Sequence, residues 1–128
     1  MLARRHRLTA GEDFRAVLRG RGDGRRRQRA GTDLLVVHVC LPRPDATAVA
    51  SLGACPRVGF VVSKAVGNSV VRHRTVRRLR HLVADRLGGL PPAADVVVRA
   101  LPPAARATSA ELGAALDQAL SRAVTRRS

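Results

Sequence analysis

Tryptophan and tyrosine are absent, and Phe14 and Phe60 are the only aromatic residues in this 128-residue chain. Proteins that grip single-stranded nucleic acid by stacking alone need more platforms than two, which disfavours generic single-strand binding. Cysteine is equally scarce. Cys40 and Cys55 have no CxxC spacing, and two cysteines do not build a disulfide framework in a chain this long, so reduced thiols in a cytosolic protein are expected. No apolar run reaches the roughly 18 residues of a membrane span, and the opening MLARRHRLTAGEDF lacks the apolar segment of a secretory signal. A cytoplasmic location without a membrane partner is therefore expected. Acidic residues number only nine, and they are scattered. Metal-assisted hydrolysis wants clustered carboxylates, and no Ser-His-Asp or Cys-His grouping follows from the spacing either. No catalytic residue is assigned, metal positions stay open, and the polypeptide alone does not read as a nuclease.

What the chain has in excess is positive charge. Against nine acids stand 24 Lys and Arg, for a net charge of +15. Lys64 is the only lysine, so the rest are arginine. A polyanion is the leading partner class. Arginine suits it, because its planar, always-charged fork donates bidentately to phosphate and stacks on bases. Codon bias in a GC-rich genome can account for the ratio of Arg to Lys, since Ala, Gly and Pro are abundant too; it does not account for the excess of charge.

The length fits one domain over residues 1–128, large enough to bury a core without disulfides. Residues 1–8 read as a loose basic arm and 125–128 as a frayed tail. Thr9 with Glu12 forms a capping box that starts a first helix, with Phe14, Val17 and Leu18 on one face, ending near Gly20. The glycine-rich basic segment from Arg19 to Arg29 is open to two readings, a loop or a short edge strand. Asp33 to Leu41 is a strand covered on both faces, with Val36, His38 and Cys40 on one side and Leu35, Val37, Val39 and Leu41 on the other. Pro42 to Pro56 reads as a surface loop. Arg57 to Ser63 is the next strand, alternating Val58, Phe60 and Val62 against Gly59 and Val61. A helix from Val70 follows, its buried stripe made by Val71, Thr75, Leu79, Leu82 and Val83, and it is expected to end at Gly88-Gly89. Asp95 to Leu101 is a further strand. Thr108 and Glu111 make a second capping box before a last amphipathic helix. The fold class is α/β, an α+β sandwich around a mixed central sheet.

The stretch RVGFVVSKAVGNSVVRHRTVRRLRHLVADRL, from Arg57 to Leu87, carries the functional signal. Arg72, Arg74, Arg77, Arg78 and Arg80 lie on about three turns of helix, with His73 and His81 among them. Like charges at i,i+3 and i,i+4 spacing cost a helix a few tenths of a kcal/mol per pair. The usual acidic partners are missing, because between Arg57 and Arg86 Asp85 is the only acid. A solvated face is therefore a weak account of the charges, and contact with nucleic acid, RNA before DNA, a stronger one. Gly67-Asn68-Ser69 by itself is a plain turn with an N-cap; ahead of this helix it also makes a phosphate seat. His38, Cys40 and Cys55 are too few soft ligands for a zinc site, and core or cleft lining is favoured.

These residues resemble the protein component of bacterial ribonuclease P. Thr9 to Leu18 is similar to that family's first helix, with Phe14 at its aromatic position. Arg57 to Lys64 is similar to its strand ending in Ser-Lys, Gly67 to Arg80 to its arginine-rich signature helix, and Asp95 to Leu101 to its later strand. The resemblance implies a ribosomal-protein-like fold with a left-handed βαβ crossover. It implies that Lys64, Asn68, Arg72, His73, Arg74, Arg77, Arg78 and Arg80 contact a catalytic RNA subunit. It further implies that Phe14, Leu18, Val36, His38 and Phe60 line a cleft for the single-stranded 5′ leader of precursor tRNA, and that the RNA cleaves with Mg²⁺. His73 stands where Asn is usual, Ala65 where a second lysine is common, and Leu18 and His38 at positions commonly aromatic. Leader binding would then rest more on Phe14 and charge. Two other functions are compatible with the residues: a ribosomal or RNA-chaperone protein, and a protein-only nuclease.

Overall fold

The structure is a computed structural model describing residues 6–8, 11–19, 26–41, 56–91 and 94–125. Its elements run α1 (Gly11–Arg19), β1 (Arg26–Gly31), β2 (Leu35–Leu41), β3 (Arg57–Val61), α2 (Ser69–Ala84), β4 (Asp95–Ala100) and α3 (Ser109–Thr125). Short 3-10 turns occupy Leu87–Gly89 and Pro102–Arg106. The basic arm up to residue 5, the Thr9–Glu12 capping box, the loop after Leu41, Cys55 and the last three residues of the tail lie outside what is described.

The strands form one mixed sheet in the order β1-β2-β4-β3. β1 with β2 and β2 with β4 are antiparallel, whereas β3 and β4 are parallel, with α2 in the connection between them. The β1-β2 turn is closed by Thr32, whose N–H donates to the Leu35 carbonyl at 2.8 Å and whose Oγ1 accepts from the Leu34 and Leu35 N–H groups. At the start of the parallel pair Arg57 and Asp95 are register partners. Arg57 Nε and Nη2 donate to Asp95 Oδ1 and Oδ2, each at 2.9 Å. This planar two-bond fork fixes geometry as well as adding energy.

Strand alternation divides the core. Leu35, Val37, Val39, Val58, Val96 and Val98 pack with Leu79 and Val83 of α2 and Leu112 and Leu116 of α3. On the other face α1 covers only one end, where Val17 and Phe14 meet Cys40, Val61 and Val97. Phe14 can lie there because residue 59 is glycine: a Cβ on Gly59 would stand 2.3 Å from Phe14 Cζ.

The second capping box forms as expected, with Glu111 N–H donating to Thr108 Oγ1 at 3.1 Å and Thr108 N–H to Glu111 Oε1 at 2.9 Å. The segment between Arg19 and Arg29 does include a strand, β1, at the sheet edge. Against expectation α2 stops at Ala84, short of Gly88-Gly89. Arg86 accounts for this. Its backbone N–H donates to the Val83 carbonyl, its Nη1 to the Leu82 carbonyl at 2.8 Å, and its Nε and Nη2 to Asp117 of α3, so the chain turns at Asp85.

Hydrogen bonding to Arg86 holds the Asp117 carboxyl below its ordinary range. A carboxylate shifted in this direction stabilises the fold above its unfolded pKa and ceases to do so as pH falls through the lower, folded value. Because Asp117 is largely exposed, Asp117→Asn is expected to cost at most about 1 kcal/mol near pH 7. Urea titrations should show that gap closing on acidification below about pH 4; a gap that persists at pH 2 would assign it to something other than the ion pair.

Candidate nucleic-acid interface

Asn68 builds the start of α2. Its backbone is extended, and its Oδ1 accepts the Val71 N–H at 3.0 Å. The cap spends the side-chain oxygen on the helix, leaving the amide NH₂ for a partner. No acid sits in the first turn, so the positive helix end is not offset from within. Lys64 is exposed in the turn before it, and Ser69 and Val70 are exposed beside it, Val70 to 73%. A single exposed valine needs no explanation by itself; here it stands beside an uncompensated positive helix end. Periodicity did not reveal it, because Val70 reads as one more apolar helix residue.

Thr75, Leu79 and Val83 bury one stripe of α2, as the spacing predicts. The arginines opposite do not share one environment. Arg74, Arg77 and His73 are exposed. Arg72 is half-buried, with Nε donating to the Val62 carbonyl at 3.0 Å, and Arg78 donates through Nη1 to the Ala107 carbonyl at 3.1 Å. Each guanidinium has five N–H donors, so these tethers fix direction and leave donors for phosphate. Arg80 is half-buried at the far side, turned toward Phe14 and Phe60.

A second cationic surface lies on the sheet face that α1 leaves open. Pairing places Arg29 opposite His38 and Arg99 opposite Val36, so all four residues share that face. Arg29 and Arg99 are exposed, and Val36 and His38 half-buried. Burial, then the charges of Arg29 and Arg99, hold the His38 imidazole below its ordinary pKa. On α1, Phe14, half-buried against Cys40, Val61 and Val97, and Leu18, 38% exposed, lie beside this face. Phe60 does not join it from this side. Strand alternation turns Phe60 toward α2 and the main core, and it meets Phe14 only around the edge of β3, where both line a cavity. Sequence reasoning did not single out Arg29 and Arg99; only the strand register brings them to His38.

Among the described residues, no three His, Cys, Asp or Glu side chains gather as a metal site would. Asp95, Asp117 and Glu111 are engaged by Arg57, Arg86 and Thr108, and Cys40 is buried. These residues do not fit a protein-held Mg²⁺ centre. No helix among them is long and apolar enough to cross a membrane.

A family model described as Ribonuclease P matches residues 2–124. The chain belongs to the ribonuclease P protein family. A ribonuclease P protein component from a Nocardioides species is 48% identical over 122 residues, covering 95% of this chain and 94% of that protein. Its counterpart from Streptomyces bikiniensis is 52% identical over 123 residues, with the same coverage. Among solved structures, the RNase P protein of Staphylococcus aureus superposes with a TM-score of 0.71 at 21% identity, covering 94% of this chain and 98% of that one. The protein from Thermotoga maritima gives 0.68 at 18% identity, covering 94% and 100%. These two likenesses establish the family's fold in this chain.

The charges around His38 make a pH prediction. Its midpoint in an NMR titration should lie below 6.5, and Arg99→Gln should move it upward by removing a neighbouring positive charge. Added single-stranded RNA should also raise it, because phosphate favours the protonated ring. An unmoved midpoint in both experiments would separate His38 from the cationic face.

Proposed function

We propose that this chain is the protein subunit of ribonuclease P and acts in tRNA processing. Through α2 and the turn before it, Lys64, Asn68, Arg72, His73, Arg74, Arg77, Arg78 and Arg80 bind the catalytic RNA. The sheet face beside α1, with Phe14, Leu18, Val36 and His38 and now Arg29 and Arg99, binds the single-stranded 5′ leader of precursor tRNA. The RNA makes the cut with Mg²⁺, held mainly by RNA and substrate; the described residues supply charge and position. The observation that carries this is the presence of two cationic surfaces on different layers of one sandwich, one on a helix, the other on a sheet face beside an aromatic ring. A cytoplasmic location is compatible with that work.

Reconstitution with a bacterial ribonuclease P RNA tests it. At low Mg²⁺ the protein should restore cleavage of leader-bearing precursor, and Phe14→Ala should weaken binding of that substrate by about 1 to 3 kcal/mol if the ring stacks on a base. No gain in cleavage would leave the ribosomal or chaperone function as the better account, and cleavage without the RNA would favour a protein nuclease. Neutralising Arg74 and Arg77, the exposed pair, should flatten the log–log salt dependence of RNA-subunit binding by roughly 0.7 to 0.9 for each phosphate no longer neutralised. An unchanged slope would remove them from the interface.

A further inference from the structure

Arg78 ties α2 to the segment that follows β4. Its Nη1 donates to the Ala107 carbonyl at 3.1 Å, and α2 packs against the 3-10 turn Pro102–Arg106 that leads into α3. That turn is braced on every side. The Leu101 N–H donates to the Leu34 carbonyl and the Ala104 N–H to the Leu101 carbonyl, each at 2.9 Å, while Ala104 and Ala107 are buried beneath. Pro102 and Pro103 restrict the backbone at its start. Arg106 stands exposed on this fixed support, one residue before the carbonyl that Arg78 holds. Helical spacing puts Arg74 beside both Arg77 and Arg78. The row of cations on α2 therefore does not end with the helix: it runs from Arg77 and Arg74, across the Arg78 tether, to Arg106.

Among the described residues Arg74, Arg77 and Arg106 have no hydrogen-bond or ion-pair partner, unlike Arg57 and Arg86, each of which is forked onto a carboxylate. The acid closest to Arg106 in sequence, Glu111, is turned to the start of α3. There its Oε1 accepts the Thr108 N–H and offsets the positive end of that helix. An anion arriving at this seam is left to the guanidinium of Arg106, since the helix end is already satisfied. We propose that Arg106 is a phosphate contact for the RNA that binds α2, so that the docking surface spans two elements, the arginine helix and the braced turn beside it. Arg106 is flanked by Ala105 and Ala107, neither of which can read a base edge, so the contact positions the RNA without selecting its sequence. Because the turn is already fixed, binding there orders a side chain and no loop, which lowers its cost. Arg78 gains a second role, since its tether sets how far Arg106 stands from Arg74. That the RNA is the catalytic subunit rests on the function proposed above.

The test is binding of the full chain to a bacterial ribonuclease P RNA over a range of salt concentrations. Arg106→Gln, with an unaltered thermal transition, should flatten the log–log dependence by roughly 0.7 to 0.9, the share of one phosphate. Arg106→Lys keeps the charge and should keep the wild-type slope. Arg122→Gln removes the same charge from an exposed position about 20 Å further along α3 and should leave the slope unchanged. Equal flattening by Arg122→Gln would reduce the effect to net charge and overturn the proposal. Arg74→Gln separates this contact from the function of α2: a flatter slope for Arg74→Gln with none for Arg106→Gln overturns the proposal and leaves α2 as the RNA-binding helix, whereas two unchanged slopes overturn both. An iron chelate on Arg106→Cys, in protein whose native cysteines are replaced, gives a second readout. It should break the catalytic RNA at nucleotides adjoining those broken from Arg74→Cys; breaks confined to the precursor leader, or none in the catalytic RNA, would contradict the assignment.

Discussion

The parallel pairing of β3 with β4, pinned at its start by the Arg57–Asp95 fork, is the constraint on which the other features depend. Parallel neighbours cannot be joined by a tight turn, so the chain must cross over, and here α2 lies in the crossover. Once both strands are fixed, the buried stripe of Thr75, Leu79 and Val83 sets the rotation of the helix. The arginines are then displayed rather than chosen by the helix. Magnitudes allow this. Burying a Leu or Val side chain contributes about 1.5–3 kcal/mol, against a few tenths for each like-charge pair on the helix surface, so packing dominates and the charge remains available.

Much of this architecture can be read from residues. β2 and β4 announce themselves by continuous β-branched runs, α2 and α3 by their apolar spacing, and the cap at Thr108 by a local chemistry that needs no tertiary partner. One feature was left open between two readings, the edge strand, and two were hidden, for separate reasons. β1, with the sequence RRQRAG, has no apolar alternation, since an edge strand buries little, here Gln28 and Ala30; pairing with β2 makes it a strand. The end of α2 depends on Arg86 reaching a carboxylate 31 residues away. Phe60 alternates to the α2 side, and its meeting with Phe14 around a strand edge follows from no sequence period.

The candidate site shows the same division. The arginine helix is legible because its residues are contiguous. The sheet face is assembled from β1, β2, β4 and α1, and its cationic partners Arg29 and Arg99 become neighbours of His38 through strand register alone. Arg29 and Arg99 flank His38, so positive charge gathers on this face. On the proposed function, leader contact draws on electrostatics, with Phe14 as its aromatic element.

The central claim is that helix and sheet face hold different RNAs. Directed hydroxyl-radical cleavage tests it most directly, using an iron chelate on a single cysteine, placed by Arg74→Cys on α2 or by Val36→Cys on the sheet face, in protein whose native cysteines are replaced. In a holoenzyme bound to precursor tRNA, the chelate on α2 should break the catalytic RNA, and the chelate on the sheet face should break the leader. Breaks in the same RNA from both positions, or the reverse assignment, would contradict the account.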